Sequence, residues 1–342
     1  MFSHLSHMPQ AAHIETPNCI SRYIVASSDQ DVRHRGASGG VVSEIIRYLL
    51  SAGIVQTAIN YRFDKNELFV PELIFSYDEY HQVGSIYHDI PIAGYLRTNI
   101  LEIKGALVVV CLPCQVAGVR HLLSKNNISH FIISLFCSGQ QKKEATWLYL
   151  KNKGVHRKNI EYLSYRGEGW PSGIRIVLKN NKQIFDPNLG GDWGKYRIPP
   201  FCLQRCMYCR DTFGINADIT VGDPWLKKYM ETEKIGLSLV GTMTPKGDEI
   251  MTEMIHKGLL HLIEKVSDTI FVNSQASAII EKYIKRNTRL WQRLFYRTCA
   301  SQFYSRLVLN KNMNLHAIIY KRFKRLVYIL LRIKLMFIGA AR

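Results

Sequence analysis

The 342-residue sequence contains no apolar run close to the ~20 residues that a membrane-spanning helix requires. It also has no internal repeat and no low-complexity tract, and its 47% hydrophobic against 21% charged residues exclude a disordered chain. Residues 1–19 lack the positive segment followed by an apolar segment that marks a secretory signal. We therefore expect a folded cytoplasmic protein, in which clustered cysteines are ligands more often than disulfide partners.

Acidic residues are scarce near the carboxyl terminus. Residues 281–342 contain fifteen Lys or Arg and one acid, so they carry +14 of the total net charge of +18. Between residues 319 and 337 an apolar arc lies opposite a basic arc on a helical wheel. The apolar arc contains Ile319, Phe323, Leu326, Val327, Leu330, Ile333 and Phe337, and the basic arc contains Lys321, Lys324, Arg325 and Arg332.

This pattern is typical of a helix that lies on an anionic membrane surface. Docking on a partner protein is the alternative. Nucleic acid binding is disfavoured, because a duplex-binding helix has no use for a wide apolar face. The sequence therefore predicts a protein held at the inner membrane surface by its tail.

The eight cysteines are unevenly placed. Cys206 and Cys209 form a C-x-x-C pair, which favours metal or cluster ligation over core packing. Cys114 and Cys137 follow the apolar runs 106–110 and 131–136, which predict strands covered on both faces. Because ligands gather outside the carboxyl ends of strands in open α/β sheets, we expect these two thiols to face one crevice. Four thiolates suit zinc and an iron–sulfur cluster equally well.

Two other motifs have both a functional and a structural interpretation. Residues 36–40 (GASGG) precede the predicted helix 41–50, so their backbone amides form either an anion site or a plain turn. Trp170 lies in a glycine-rich loop, where it either stacks on a planar ligand or packs under the loop. Cys111 is expected to pack in the core, and Cys202 is an additional possible ligand.

In order and spacing, these motifs resemble the β-subunit family of coenzyme F-420-reducing hydrogenases and dehydrogenases. The resemblance covers residues 23–225 and is carried by GASGG at 36–40, SIY at 85–87, PCQ at 113–115, CSG at 137–139, GW at 169–170, CMYC at 206–209 and GDPW at 222–225. It implies an oxidoreductase that binds FAD and a 4Fe–4S cluster. The implied FAD residues are Gly36, Ser38, Gly39, Gly40 and Ser43, and the implied cluster ligands are Cys114, Cys137, Cys206 and Cys209.

The sequence departs from the family pattern in three ways, one of which is the presence of two extra thiols, Cys111 and Cys202, either of which could replace one of the four ligands. Ile86 stands where the family usually has Lys, so a positive charge near the cofactor is missing at that position. Many relatives carry an amino-terminal ferredoxin-like segment with several C-x-x-C units, whereas only Cys19 precedes the first motif here, so electrons are expected from a separate ferredoxin-like or other donor protein. No catalytic acid or base stands out, and Asp223 is the one candidate.

We therefore predict an α/β fold with a mixed sheet, flanking helices, a cysteine-bearing segment closing on the sheet and a helical basic tail. The expected parts are a flexible segment 1–19, a flavin-binding α/β part 20–150, a cysteine-cluster domain 151–272 and the tail 273–342. The expected function is electron transfer through the cluster to FAD, in a bacterial polysaccharide pathway. The alternatives are a non-enzymatic zinc protein that recruits partners at the membrane, and a true coenzyme F-420 oxidoreductase.

Overall fold

The computed structural model describes residues 17–197, 201–287 and 294, together with 314–315, 317–323, 325–326 and 329. The strands are β1 Ser21–Ser27, β2 Thr57–Asp64, β3 Leu68–Ile74, β4 Leu107–Cys111, β5 His130–Leu135, β6 Ile160–Ser164, β7 Gly173–Leu178, β8 Gln183–Pro187, β9 Ile219–Gly222, β10 Ser238–Thr242 and β11 Leu260–Lys265. The helices are α1 Gln30–Arg35, α2 Val41–Ser51, α3 Ile92–Thr98, α4 Pro113–Lys125, α5 Lys143–Asn152, α6 Lys227–Thr232, α7 Pro245–His256, α8 Asp268–Ser274 and α9 Ala276–Asn287.

Eight strands form one mixed sheet in the order β11-β1-β10-β9-β5-β4-β2-β3. Its centre is parallel, from β9 through β5 and β4 to β2, and the outer strands pair antiparallel. All five residues of β4 are buried, and so are the middle four of β5, because helices cover both faces. The predicted α/β fold, with a mixed sheet and flanking helices, is confirmed.

A smaller antiparallel sheet, β6-β7-β8, packs with α5 around an aromatic cluster. In this cluster the ring of Tyr149 lies edge-on to Trp193 at 5.5 Å and to Tyr196 at 5.3 Å. Edge-to-face pairs at this spacing add to the stability that burial of the rings provides. The small sheet therefore has its own core beside the main sheet.

One edge of the main sheet collects the functional segments. Strands β4, β5 and β9 are parallel, so all three end at this edge. Strand β1 points the same way, because it is antiparallel to β10, which is antiparallel to β9. The loop 36–40, the cysteines after β4 and β5, and the motif 222–225 therefore all lie at one edge.

The main sheet takes strands from both sides of residue 150. Strands β1 to β5 precede it, whereas β9, β10 and β11 follow it. The predicted boundary at residue 150 thus separates strands that hydrogen-bond within one sheet. Residues 1–16 of the predicted flexible segment lie outside the described residues. Among the described residues, no helix has the length and apolar character needed to cross a membrane.

Candidate functional site

A cleft of about 930 Å³ opens at the carboxyl edge of the parallel strands. This volume lies within the usual range for cofactor pockets. The wall of the cleft includes residues from the segments 36–43, 80–90, 135–141, 188–197 and 221–225, from α9, and from 317–321. The cleft therefore joins residues of the motifs at 36–40, 85–87, 137–139 and 222–225, whereas Cys114, Trp170, Cys206 and Cys209 do not line it.

The loop 36–40, here called the glycine loop, leads directly into α2. Gly40 has φ +73° and forms the amino-terminal cap without a side-chain hydrogen bond to the helix. Val41, Val42 and Ser43 of the first turn line the cleft. The amino end of a helix favours an anion, because its first N–H groups lack partners and the helix dipole is positive there. This end of the cleft therefore suits a phosphate.

Four of the five predicted cofactor residues, Gly36, Ser38, Gly40 and Ser43, line the cleft. Gly39 instead packs against the sheet, since a Cβ there would lie 2.7 Å from Ser238 N and 2.8 Å from Val25 O. The Gly39 amide also donates to Ser238 Oγ at 3.0 Å. The glycine at position 39 thus keeps the loop close to β1 and β10.

A buried ion pair forms another part of the wall. The Arg166 side chain is 2% exposed and donates to both carboxylate oxygens of Asp223, at 3.1 and 3.0 Å. Asp223 Oδ1 also accepts from the Trp170 indole at 2.7 Å, and Trp170 packs on Trp225 at 5.2 Å. Asp223, the candidate acid or base, is therefore held by two donors, and Trp170 packs in the protein. Arg166 Nε is buried without a hydrogen-bond partner.

The four predicted ligand cysteines, here called the thiol site, come from three segments. Cys114 is exposed on the first turn of α4, and Cys137 follows β5. Cys206 lies on the 3₁₀ turn Gln204–Met207, and Cys209 lies two residues after the end of this turn. Cys206 Sγ accepts from the Gln140 amide at 3.4 Å.

The pKa values of these thiols reflect their closeness to one another. Burial raises the pKa of Cys114, and negative charge on Cys209 raises it further. Burial raises the pKa of Cys137 to about 11, with Lys282 opposing and Cys206 and Cys114 adding to the rise. A hydrogen bond from Cys202 lowers the pKa of Cys206. The four thiols therefore act on one another electrostatically.

The two additional cysteines differ in position. Cys111 lies in the core of β4, where burial raises its pKa to about 12. Cys202 is buried beside Cys206 and is therefore next to the thiol site. Among the described residues, no three His, Cys, Asp or Glu side chains form a group that fits a single metal ion.

Two protein-family models match this sequence. The family model that describes the C terminus of the β subunit of coenzyme F-420 hydrogenase/dehydrogenase matches residues 105–268, and the model that describes its N terminus matches residues 23–97. Together they cover more than two thirds of the chain. The chain belongs to the coenzyme F-420 hydrogenase/dehydrogenase β-subunit family. Comparison with the curated proteins gives no match.

The fold agrees with this family. A chain of the F-420-reducing nickel–iron hydrogenase complex from Methanosarcina barkeri, solved as a xenon derivative, matches with a TM-score of 0.59 and 15% identity. The match covers 82% of this chain and 94% of that chain. This likeness concerns the fold. The family models describe subunits of a hydrogenase/dehydrogenase, so membership places the chain in an oxidoreductase family.

Sequence reasoning missed two lysines of this family member. Lys282 and Lys285 of α9 lie against the thiol site, although the basic composition after residue 280 suggested surface charge. A signal was present, because Ala276, Ile279, Lys282 and Lys285 follow at intervals of three and share the buried face of α9. Positive charge also reaches the cleft wall despite Ile86, from Arg166, Lys195, Arg197, Lys285 and Lys321.

The described part of the tail is helical and contacts the body. Tyr320 packs against the core of the small sheet, and Ala317, Tyr320 and Lys321 line the cleft. Of the predicted apolar arc, Ile319 and Phe323 are half-buried and Leu326 is exposed; of the basic arc, Lys321 and Arg325 are exposed. Val327, Leu330, Ile333, Phe337, Lys324 and Arg332 lie outside the described residues.

Proposed function

We propose that this protein is a flavin- and 4Fe–4S-dependent oxidoreductase that takes electrons from a reduced carrier protein. Cys114, Cys137, Cys206 and Cys209 would hold the cluster, and the glycine loop with Ser43 would hold the phosphates of FAD. When bound, a cluster supplies single electrons and a flavin couples them to two-electron chemistry.

The donor set of the thiol site fits an anionic, thiolate-bound group. Lys282 Nζ lies 3.1 Å from Cys209 Sγ, and this lysine is 5% exposed. A buried ammonium is costly unless an anion compensates it. A buried lysine against the Cys209 sulfur therefore suits a thiolate-bound group, since iron and zinc both bind cysteine as the thiolate.

The cleft fits a flavin nucleotide on two grounds. Its phosphate end is the uncapped amino terminus of α2, where the glycines leave room for close approach. On the same wall, Arg166 is paired with Asp223 but keeps one buried donor, Nε, without a hydrogen-bond partner among the described residues. Both features favour an anionic ligand of the size that the cleft allows.

The observation that carries the proposal is the wall shared by the thiol site and the cleft. Cys137 and Gln140 line the cleft, while the Gln140 amide donates to Cys206 Sγ. The Gln140 side chain donates to the carbonyl oxygens of Ile86 and His88, both at 3.0 Å. One short segment thus separates the two candidate cofactor sites, as electron transfer between them requires.

The electron donor that we propose is a separate ferredoxin-like protein. Cys114 is exposed, and so are Arg210 and Arg205 close to the thiol site, although Arg205 is paired with Asp89. Positive side chains around an accessible thiol favour docking of an acidic carrier, since complementary charge speeds association. The polysaccharide pathway and the inner membrane surface are the proposed setting, and they rest on the resemblance and on the basic tail.

Anaerobic purification followed by absorption spectroscopy and metal analysis tests the proposal. We expect flavin bands with a broad iron–sulfur shoulder, and about four irons per chain because a 4Fe–4S cluster is proposed. Cys206→Ser and Cys209→Ser should lose iron, whereas Cys111→Ser should retain it because Cys111 lies in the core.

Two other outcomes would select the alternatives. A colourless protein with bound zinc would contradict the proposal and support a zinc protein that recruits partners. Reduction of added coenzyme F-420 by the purified protein would support a true F-420 oxidoreductase.

A further inference from the structure

Two lysines of helix α9 are buried. Lys282 is 5% exposed and Lys285 is 8% exposed, and they lie one turn apart on the same face. Lysine is rarely buried without a partner, because the ammonium loses its hydration. The groups that contact these two ammonium ions therefore indicate the role of α9.

The Lys282 side chain contacts the sulfur of Cys209. Its Nζ donates to Cys209 Sγ at 3.1 Å and also to the carbonyl oxygen of Asp211. Among the described residues, no carboxylate forms an ion pair with Lys282. Lys282 therefore places its ammonium group against the sulfur of Cys209, one of the four cysteines of the thiol site.

The Lys285 side chain occupies the space beside Gly139, which has no side chain of its own. Its Nζ donates to the Ser138 carbonyl oxygen at 3.0 Å and pairs with Glu281 at 3.0 Å. A Cβ on Gly139 would lie 2.6 Å from this Nζ and 3.9 Å from Cys202 Sγ. Lys285 thus carries a neutralised charge, whereas Lys282 brings a net positive charge to the thiol site.

We propose that Lys282 is a positioning residue that raises the reduction potential of the group held by the thiol site. The inference rests on the proposed function, because it needs a redox-active cluster there. Reduction adds one negative charge, and one electron leaves the ferredoxin-like donor, which is oxidised. A buried cation and a hydrogen bond to a ligating sulfur both stabilise the more negative state, and both are known controls of cluster potential. Lys282 therefore favours electron entry from the donor.

The test is a redox titration of the anaerobically purified full chain, followed by absorption and electron paramagnetic resonance. Lys282→Met should lower the midpoint potential by at least about 59 mV, which is a tenfold change in a one-electron equilibrium. Lys282→Arg, which keeps the charge, should restore most of the potential. Lys257→Met is the matched control, because Lys257 is an exposed lysine paired with Glu253 on α7, and it should leave the potential unchanged.

A second variant keeps the test decisive if Lys282→Met does not retain iron. Lys282→Gln preserves a hydrogen-bond donor and removes only the charge, so a smaller negative shift is expected. Wild-type potential in Lys282→Gln or Lys282→Met, with full iron content, would overturn the inference. Absence of iron from the wild-type protein would instead refute the proposed function, so the two failures are distinguishable.

Discussion

At the scale of single residues, the cleft contains a histidine whose charge state is set by its surroundings. His88 is 1% exposed, stacks on Phe69 at 5.8 Å and lies 3.3 Å from the Tyr165 hydroxyl through Nδ1. Burial, with a smaller effect from Lys143, lowers the pKa of His88 from 6.5 to about 4. The folded protein therefore keeps this ring neutral under conditions in which the unfolded chain protonates it.

This difference predicts a loss of stability in mild acid. As pH falls from about 6.5 to about 4, the unfolded chain takes up a proton that the folded protein does not, so the free energy of unfolding falls. The contribution of His88 to this fall is up to about 3 kcal/mol, at about 1.4 kcal/mol per pH unit. Urea denaturation at several pH values should show a smaller fall for His88→Gln than for the wild type.

The exposed His121 supplies the control for this measurement. His121→Gln should keep the wild-type pH dependence, because an exposed ring interacts with water in both states. Equal pH dependence in His88→Gln and the wild type would show that His88 does not contribute to the acid sensitivity.

For Gly39, the sequence predicts the loop but not the direction that the glycine faces. The motif GASGG correctly indicated a loop that opens a helix, since glycines followed by helical spacing are a local pattern. It could not indicate which glycine faces the cleft and which faces the sheet. That distinction depends on Ser238 of β10, about 200 residues away in the chain.

The packing of Gly39 gives a second prediction. Gly39→Ala should destabilise the fold by about 1–3 kcal/mol, the usual cost of overpacking, because both close neighbours are backbone atoms. The matched control is Gly118→Ala in α4, where the glycine is exposed and an added Cβ would lie within 4 Å of no described atom outside the adjacent helix backbone. This change should stabilise by up to about 1 kcal/mol through helix propensity. Thermal unfolding measures both, and equal stability of the two variants would contradict the packing assigned to Gly39.

At the scale of helices and strands, local pattern predicted the elements that are buried on both faces. The continuous apolar runs gave β4 and β5, and helical spacing gave α2 within one residue of its end. Strands β6 and β8 of the small sheet show no comparable pattern. Their sequences IEYLS and QIFDP have little alternation, and pairing with β7 determines their structure.

Helix α9 was assigned to the basic tail because its lysines resemble solvated charge. The helix packs beside the thiol site, and its buried face carries both lysines. A truncation after residue 280 would therefore remove part of the candidate site together with the tail. Substitutions in the exposed part of the tail leave α9 in place, so they separate membrane binding from the thiol site.

At the scale of the whole molecule, charge is concentrated at one end of the chain. Residues 1–280 carry +4 and residues 281–342 carry +14. In the described part of the tail, Lys321, Arg322 and Arg325 are exposed, together with Ile318 and Leu326. Exposed basic and apolar side chains on one helical segment suit the headgroup region of an anionic bilayer.

The predicted consequence is charge-dependent membrane binding. Each basic residue near an anionic surface contributes about 1 kcal/mol, so Lys321→Gln, Arg322→Gln and Arg325→Gln together should weaken binding about a hundredfold. Sedimentation with anionic vesicles measures this, and high salt should weaken wild-type binding because ions screen exposed charge. The control is the triple variant Lys158→Gln, Lys179→Gln and Lys182→Gln, which removes three exposed lysines around the small sheet. Unchanged vesicle binding by the tail variant would exclude the bilayer as the surface that these residues contact. Docking on a partner protein would then be favoured, because the exposed Ile318 and Leu326 also suit an apolar groove.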